Sequence, residues 1–330
     1  MPNSPGPTVP DPALAGLTLQ ETAALTHRIT RLSVAVALVL SLIKLGAWLA
    51  SGSVAMLASL ADSGLDVVAA LAAYFAVRYA AEPPDREHRY GHGKAEAFAS
   101  LVQAGLVFAS AALIGREAID RIAHPQPIDH QGWSLLVMVT SILFTAGLIL
   151  AQSRVLAKAS SVAVTGDRMH YIADLAANLI AFVGIGITAL MANPLADAAA
   201  GLAVAALLVW GAINVFRASS LELMDHELND EARRRIADLM TEDPRVRDVH
   251  QLRTRASGPY IHVQMHADLD PSLSLVEAHS VMVAAERRVL KAFPTADIII
   301  HPDPRGQAEP HGGAFSEHHE LHALETTKGR

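Results

Sequence analysis

The sequence predicts an all-α membrane domain of six transmembrane helices, followed by a small cytoplasmic α+β domain. Of the 330 residues, 51% are apolar and only 18% are charged, whereas a soluble domain carries about a quarter charged residues. Six apolar stretches have the length of a membrane span. After Leu221 the charges become dense and the apolar runs shorten, which indicates a separate water-exposed domain.

The composition restricts the chemistry of any site. The chain contains no cysteine, so disulfides, thiolate metal sites and cysteine nucleophiles are excluded. A bound metal ion would therefore be held by nitrogen and oxygen atoms, which the 16 histidines and the acidic residues can supply. The net charge is −7 and the basic residues form no long run, which argues against nucleic acid as a partner.

The N-terminal segment and the spans follow in order. Residues 1–25 are expected to form a disordered tail, because their start is rich in proline and small polar residues and resembles no signal peptide. Residues 26–220 are expected to form the transmembrane domain. Asn193 and Pro194 supply a helix N-cap and a first-turn proline, so a tight turn should separate the last two helices. The predicted spans are Leu32–Ala50, Val54–Ala80, Ala95–Ile119, Trp133–Ala151, Ile172–Ala192 and Pro194–Phe216.

The distribution of basic residues predicts the orientation. An even number of spans places both termini on one side of the membrane. The opposite loops carry only Arg116 and Arg121. By the positive-inside rule, both termini are then cytoplasmic in a multi-pass protein. The basic residues on the side of the termini are Arg28, Arg31, Arg78, Arg86, Arg89, Lys94, Arg154, Lys158, Arg168 and Arg217.

Residues 221–304 are expected to form the cytoplasmic domain. Their apolar spacing predicts the order helix-strand-strand-helix-strand, which fits a two-layer α+β domain. Residues 305–330 are polar and predict a flexible tail that contains His311, His318, His319 and His322. The predicted elements are Glu231–Met240, Val246–Arg253, Tyr260–Asp268, Val276–Phe293 and Asp297–His301.

Two predicted spans carry pairs of ionisable residues separated by four positions. The second contains Asp62 and Asp66, and the fifth contains His170 and Asp174. Residues four apart project from one face of a helix. Two such helices facing each other would present three carboxylates and one imidazole, a closed tetrahedral set for Zn²⁺. These side chains could instead cap helices or pair with a basic residue, but ionisable residues within spans usually mark an ion pathway.

Two further charged residues lie in the spans. Lys44 in the first would extend its ammonium to the membrane surface or pair with an acid. Asp197 lies in the first turn of the sixth helix, where the helix dipole favours a negative charge. We therefore expect a structural role for Asp197.

With these residues the sequence resembles the cation diffusion facilitator family, close to its bacterial zinc and ferrous-iron efflux members. The resemblance covers about residues 22–303. It rests on the six spans, on Asp62-Ser-Gly-Leu-Asp66 and His170-Tyr-Ile-Ala-Asp174, and on the loop 84–96, which ends in Gly-His-Gly-Lys-Ala-Glu.

The resemblance implies a homodimeric antiporter of the inner membrane that exports a divalent cation in exchange for protons by alternating access. Zn²⁺ is the expected ion, with Cd²⁺ and Fe²⁺ as alternatives, and no organic cofactor is expected. The cytoplasmic domain should have a metallochaperone-like fold. The resemblance assigns the transport site to Asp62, Asp66, His170 and Asp174.

Further sites are implied by the same resemblance. Lys94 and Asp225 match positions that interlock near the dimer axis of relatives. Without the resemblance, each histidine outside the spans is better explained as a solvated or packed side chain than as a metal ligand. The implied loop and cytoplasmic metal ligands are Asp85, His88 and His92, and His250, His266, His279, His301 and Asp303.

Proton coupling would follow from the ligands, because a metal ion requires them deprotonated. His170 is the expected proton carrier, because an imidazole has an ordinary pKa of about 6.5 and can change its protonation near neutral pH.

Two other functional classes stay open. One is a metal-binding sensor or scaffold of the same fold that does not transport. The other is an intramembrane metal-dependent hydrolase, although the chain lacks a His-Glu-x-x-His helix and a catalytic zinc needs an open position; we therefore expect no enzyme.

Overall fold

The computed structural model describes residues 17–51, 54–123, 132–191 and 194–306. One compact unit is Thr22–Leu223, and a second contains the described residues from Met224 onward. The tail histidines at 311, 318, 319 and 322, the predicted cap Asn193 and the first part of the predicted N-terminal tail lie outside the described residues.

The described residues of the first unit form six long α-helices. Within the described residues, five helical stretches are long and apolar enough to cross a membrane: 19–50, 59–80, 95–120, 136–156 and 201–223. The predicted fifth span, Ile172–Ala192, runs into residues whose side chains lie outside the described part of the chain. The helices are α1 (Leu19–Ser51), α2 (Val54–Ala80), α3 (Ala95–Ala123), α4 (Gly132–Leu156), α5 (Val162–Met191) and α6 (Pro194–Leu223).

Two helices begin earlier than their apolar runs predict, because polar side chains cap them. At the start of α1, the Thr18 backbone N–H donates to Glu21 Oε2 at 2.8 Å, and Glu21 N–H donates to Thr18 Oγ1 at 3.3 Å. This reciprocal pair is a capping box, so residues 19–25 are helical and the expectation of a disordered tail to residue 25 is wrong for them. At the start of α5, Val164 N–H donates to Ser161 Oγ at 3.2 Å, so His170 lies well inside the helix.

Helix α5 lies between two apolar clusters. Tyr171 and Val164 pack with residues of α1, α2 and α4, while Ala173 packs with residues of α3 and α6. Gly166 allows α5 to approach α3 closely, because a Cβ atom there would lie 2.6 Å from Ser100 Oγ and 3.2 Å from Ser100 Cα. The helix that carries His170 and Asp174 is therefore enclosed by its neighbours.

The second unit is a two-layer α+β domain in the predicted order. Strand β1 pairs antiparallel with β2, and β2 pairs parallel with β3, so the sheet order is β1-β2-β3. The core between sheet and helices contains the fully buried Ile236, Val263, Val281 and Val289. The elements are α7 (Asp230–Thr241), β1 (Val246–Ser257), β2 (Tyr260–Leu269), α8 (Leu275–Ala292) and β3 (Ala296–Pro304).

Candidate metal centres

The first centre joins α2 to α5 within the membrane domain. The Nε2 atom of His170 lies 3.1 Å from Asp66 Oδ1 and 3.8 Å from Asp174 Oδ2. His170 is buried, and both carboxylates are half-buried. One imidazole nitrogen and two carboxylate oxygens, all within 4.8 Å of one another, can hold a divalent ion.

Asp62 does not join this group in the structure. It is exposed in the single chain, and its carboxylate is outside the described ligand atoms that lie within 4.8 Å of one another. One turn of α2 separates the Cβ atoms of Asp62 and Asp66 by about 5–6 Å. Four-residue spacing on one helix therefore puts both carboxylates on one face without bringing them to one point.

For Lys44, the structure contradicts one of the two expectations. The side chain is buried and its ammonium donates a hydrogen bond to the Ser63 hydroxyl, so it does not extend to the membrane surface; its pairing with an acid stays a prediction. The Ser41 hydroxyl donates to the Ser63 carbonyl at 3.0 Å. These bonds fasten α1 to α2 beside Asp62, because a buried polar group in a membrane must find its partner within the protein. The side chain of Asp197 lies outside the described residues, so its structural role stays a prediction.

The second centre lies in the loop between α2 and α3. Asp85 Oδ2 is 3.2 Å from His92 Nε2, and Asp85 Oδ1 is 3.4 Å from His88 Nδ1. The backbone N–H groups of His88 and Glu87 both donate to Asp85 Oδ1. These bonds, above all the one from His88, lower the pKa of the Asp85 carboxyl. The ring of Tyr79, in the last turn of α2, lies 4.3 Å from the His92 ring. The loop thus presents an ionised carboxylate and two imidazoles.

The residues that follow His92 fasten this loop to other helices. The Lys94 ammonium donates to the carbonyl of Leu223, at the end of α6, at 3.2 Å. The Ser161 hydroxyl, which caps α5, donates to the buried carboxylate of Glu96. In the second unit, Asp225 is 3.0 Å from the Arg255 guanidinium. The interlock of Lys94 with Asp225 stays a prediction.

The third centre lies at one end of the sheet in the second unit. The strand register places His250, His266 and His301 on adjacent strands. Asp303 Oδ2 lies 2.8 Å from His266 Nδ1 and 3.4 Å from His250 Nε2. His301, on the exposed side, has its Nε2 atom 3.4 Å from Asp303 Oδ1. Two imidazoles and a buried carboxylate therefore converge, with a third imidazole beside them.

His279 does not belong to this cluster. It is exposed on α8, whereas the other candidate ligands lie on the three strands. No cluster of ligand atoms in the described residues includes His279, so its role as a ligand stays a prediction.

Two carboxylates that the sequence analysis does not predict lie beside the centres. Asp268 Oδ1 lies 3.7 Å from His250 Nδ1. Its two-residue spacing from His266 could have indicated this position, because it puts both side chains on one face of β2. Asp167 is buried on α5, and its signal is the three-residue spacing from His170.

The comparisons with known proteins agree with both units. Residues 30–224 match the family model of the cation efflux transmembrane domain, and residues 228–305 match that of the cation efflux protein cytoplasmic domain. The cation-efflux pump FieF of Shewanella oneidensis is 41% identical over 281 residues, which cover 85% of this chain and 94% of the relative. The FieF pump of Citrobacter koseri is 36% identical over 276 residues, which cover 84% and 92%.

A solved structure of the zinc form of CzrB, a candidate zinc transporter, is 32% identical. It covers 26% of this chain and 99% of the CzrB chain, with a TM-score of 0.25.

Proposed function

The chain belongs to the cation diffusion facilitator family, and from that premise we propose that it exports Zn²⁺ in exchange for protons. The chain is a membrane transporter of divalent cations and not an enzyme. The choice of Zn²⁺, the exchange for protons and the direction relative to the two termini are the parts that we propose.

The observation that carries the proposal is the convergence of Asp66, His170 and Asp174 between α2 and α5. Carboxylate oxygen and imidazole nitrogen suit Zn²⁺, Cd²⁺ and Fe²⁺, whereas all-oxygen sites suit Mn²⁺ and Mg²⁺ better. Asp62, one turn earlier on α2, is proposed as the fourth ligand, recruited by a change of its side-chain rotamer.

Competition at one atom supports the exchange mechanism. The Nε2 atom of His170 faces Asp66 at 3.1 Å, so a protonated imidazole can donate to this carboxylate. The same nitrogen lone pair is the one that would bind the metal ion. Proton and metal therefore cannot occupy this nitrogen together. Metal would displace the proton when the site opens inward, and protons would displace metal when it opens outward.

The two centres outside the spans support auxiliary roles. We propose that Asp85, His88 and His92 bind metal at the membrane surface, and that His250, His266, His301 and Asp303 bind it in the cytoplasmic domain. The match to the cytoplasmic-domain family and the partly exposed edge strand β3 are compatible with a homodimer. We propose placement in the inner membrane from the family match. The basic residues described above support a cytoplasmic position of both termini.

The test is metal-driven proton movement in proteoliposomes that enclose a pH-sensitive dye and a metal-sensitive dye. Zn²⁺ should enter the vesicles and protons should leave, with Cd²⁺ and Fe²⁺ following and Mn²⁺ weakest. Asp120→Ala, an exposed carboxylate near the end of α3, is the control variant. Zn²⁺ flux without proton flux would contradict exchange, and Zn²⁺ binding without any flux would indicate a sensor.

A further inference from the structure

A buried carboxylate lies one helical turn before His170. Asp167 on α5 is 1% exposed, and it is separated from His170 by three positions, so the two side chains are neighbours on the helix surface. It belongs to none of the three candidate centres. Its contacts indicate what it does.

Asp167 is held by amides from two other helices. The Nε2 atom of Gln152 on α4 donates to Asp167 Oδ2 at 2.8 Å. The Nε2 atom of Gln103 on α3 donates to Asp167 Oδ1 at 3.3 Å. Gln152 also donates to the Ser33 hydroxyl on α1 at 3.2 Å. One carboxylate therefore connects α5 with α3, α4 and α1.

These hydrogen bonds form only while the helices keep their present register. Gln103, Gln152 and Ser33 are all fully buried. Water cannot replace a lost partner in the bilayer interior, and an unpaired polar group there is costly. A rotation of α5 that moved Asp167 would break its bonds to both amides at once. The close approach at Gly166 leaves α5 little space to move against α3.

The orientation of His170 depends on this register. Its Nδ1 atom has no hydrogen-bond partner among the described residues, so no bond to that side of the ring fixes its direction. A metal-binding histidine usually has such a bond. Here the position of α5 must hold the ring against Asp66.

We propose that Asp167 is a positioning residue of the transport site: its bonds to Gln103 and Gln152 hold α5 so that the His170 Nε2 atom faces Asp66. This inference rests on the proposed function, since it assumes that His170 binds the transported ion. It does not require Asp167 to carry a charge, because hydrogen bonds do the holding.

That distinction determines the variants. Asp167→Ala removes the bonds. Asp167→Asn keeps them if Gln103 turns its amide, because Gln103 Oε1 accepts no hydrogen bond within the described residues and could then accept one from Asn. The control is Ser141→Ala, which removes a buried polar group on α4 that is not bonded to Asp167.

The experiment measures Zn²⁺ affinity by titration calorimetry and Zn²⁺ flux in proteoliposomes. It uses full-length variants that elute from size-exclusion chromatography at the same volume as the wild type. Asp167→Ala should weaken Zn²⁺ binding about tenfold or more, as loss of a supporting contact does at metal sites. It should raise the half-saturating Zn²⁺ concentration of flux more than it lowers the maximal rate. Asp167→Asn should restore most of the affinity, and Ser141→Ala should bind as the wild type does.

Two results would overturn the inference. One is unchanged affinity in Asp167→Ala, and the other is an Asn variant as weak as the Ala variant, which would point to the charge. If Asp66→Ala and His170→Ala also keep full flux, the proposed function fails. If those two variants lose flux while Asp167→Ala binds normally, only the positioning role fails.

Discussion

The Nε2 atom of His170 on α5 lies 3.1 Å from the Oδ1 atom of Asp66 on α2. This contact crosses 104 residues of sequence and joins two helices within the membrane domain. It is also the place where a proton and a metal ion would compete.

Replacement of one partner tests that competition. Asp66→Ala should reduce Zn²⁺ flux to the level of empty vesicles, because a ligand is lost while the apolar surfaces of the spans are unchanged. Flux is read with an enclosed zinc dye, and insertion and assembly are read by protease protection and chromatography. Wild-type flux in this variant would remove Asp66 from the transport site.

A change of ligand type tests selectivity. His170→Asp should turn the set into oxygens alone, which weakens Zn²⁺ and favours harder ions such as Mn²⁺. The measurement is competition between the two ions for flux, compared with the wild type. An unchanged order of preference would count against His170 as a ligand.

The close approach of α5 to α3 gives a test of packing. Gly166→Ala places a methyl group 2.6 Å from Ser100 Oγ, so overpacking should cost about 1–3 kcal/mol and lower the melting temperature in detergent. Gly147→Ala on α4, where a Cβ atom meets nothing within 4 Å, is the control. Equal melting temperatures for the two variants would show that the space at Gly166 is not needed.

The C-terminal domain should respond to acid through His262. This side chain is 7% exposed, and burial, followed by the neighbouring Arg255 guanidinium, lowers the pKa of its imidazole, which Asp297 opposes only in part. The unfolded chain, with an ordinary histidine pKa of about 6.5, therefore binds this proton more readily. The free energy of unfolding should therefore rise with pH through the range just below 6.5. The contribution of His262 is lost as the pH falls through the same range.

Urea unfolding of residues 221–304 between pH 5 and 8, with EDTA to remove metal, measures this dependence. His262→Gln should flatten it, while His279→Gln, at an exposed position on α8, should not. The assignment to His262 fails if both variants keep the wild-type slope.

Zn²⁺ should stabilise the same domain. His250, His266 and Asp303 come from three different strands, so an ion that joins them restrains the whole sheet, and binding to the folded state alone raises its stability. The melting temperature should rise with Zn²⁺ at neutral pH, and the rise should vanish below about pH 5.5, where imidazoles are protonated. His266→Ala should show a much smaller rise. No heat of Zn²⁺ binding at neutral pH would refute this centre.

The sequence by itself determined the elements and their type. Apolar runs of membrane length predicted the spans, and the element order of the C-terminal domain followed from periodicity, because both signals are local and repeat within one element. The capping residues Thr18 and Ser161 were also present in the sequence. The predicted bounds of α1 and α5 followed the apolar runs instead, so both helices begin earlier than predicted.

Only the tertiary structure decided which side chains meet. Four-residue spacing placed Asp62 and Asp66 on one face of α2, yet only Asp66 lies against His170, because rotation and rotamer depend on the packing of other helices. The exposure of His279 and the burial of Lys44 beside Ser63 depend in the same way on contacts distant in sequence. Asp167 shows the reason most clearly: its partners Gln103 and Gln152 lie 64 and 15 residues away, and no local pattern connects three polar residues on three helices.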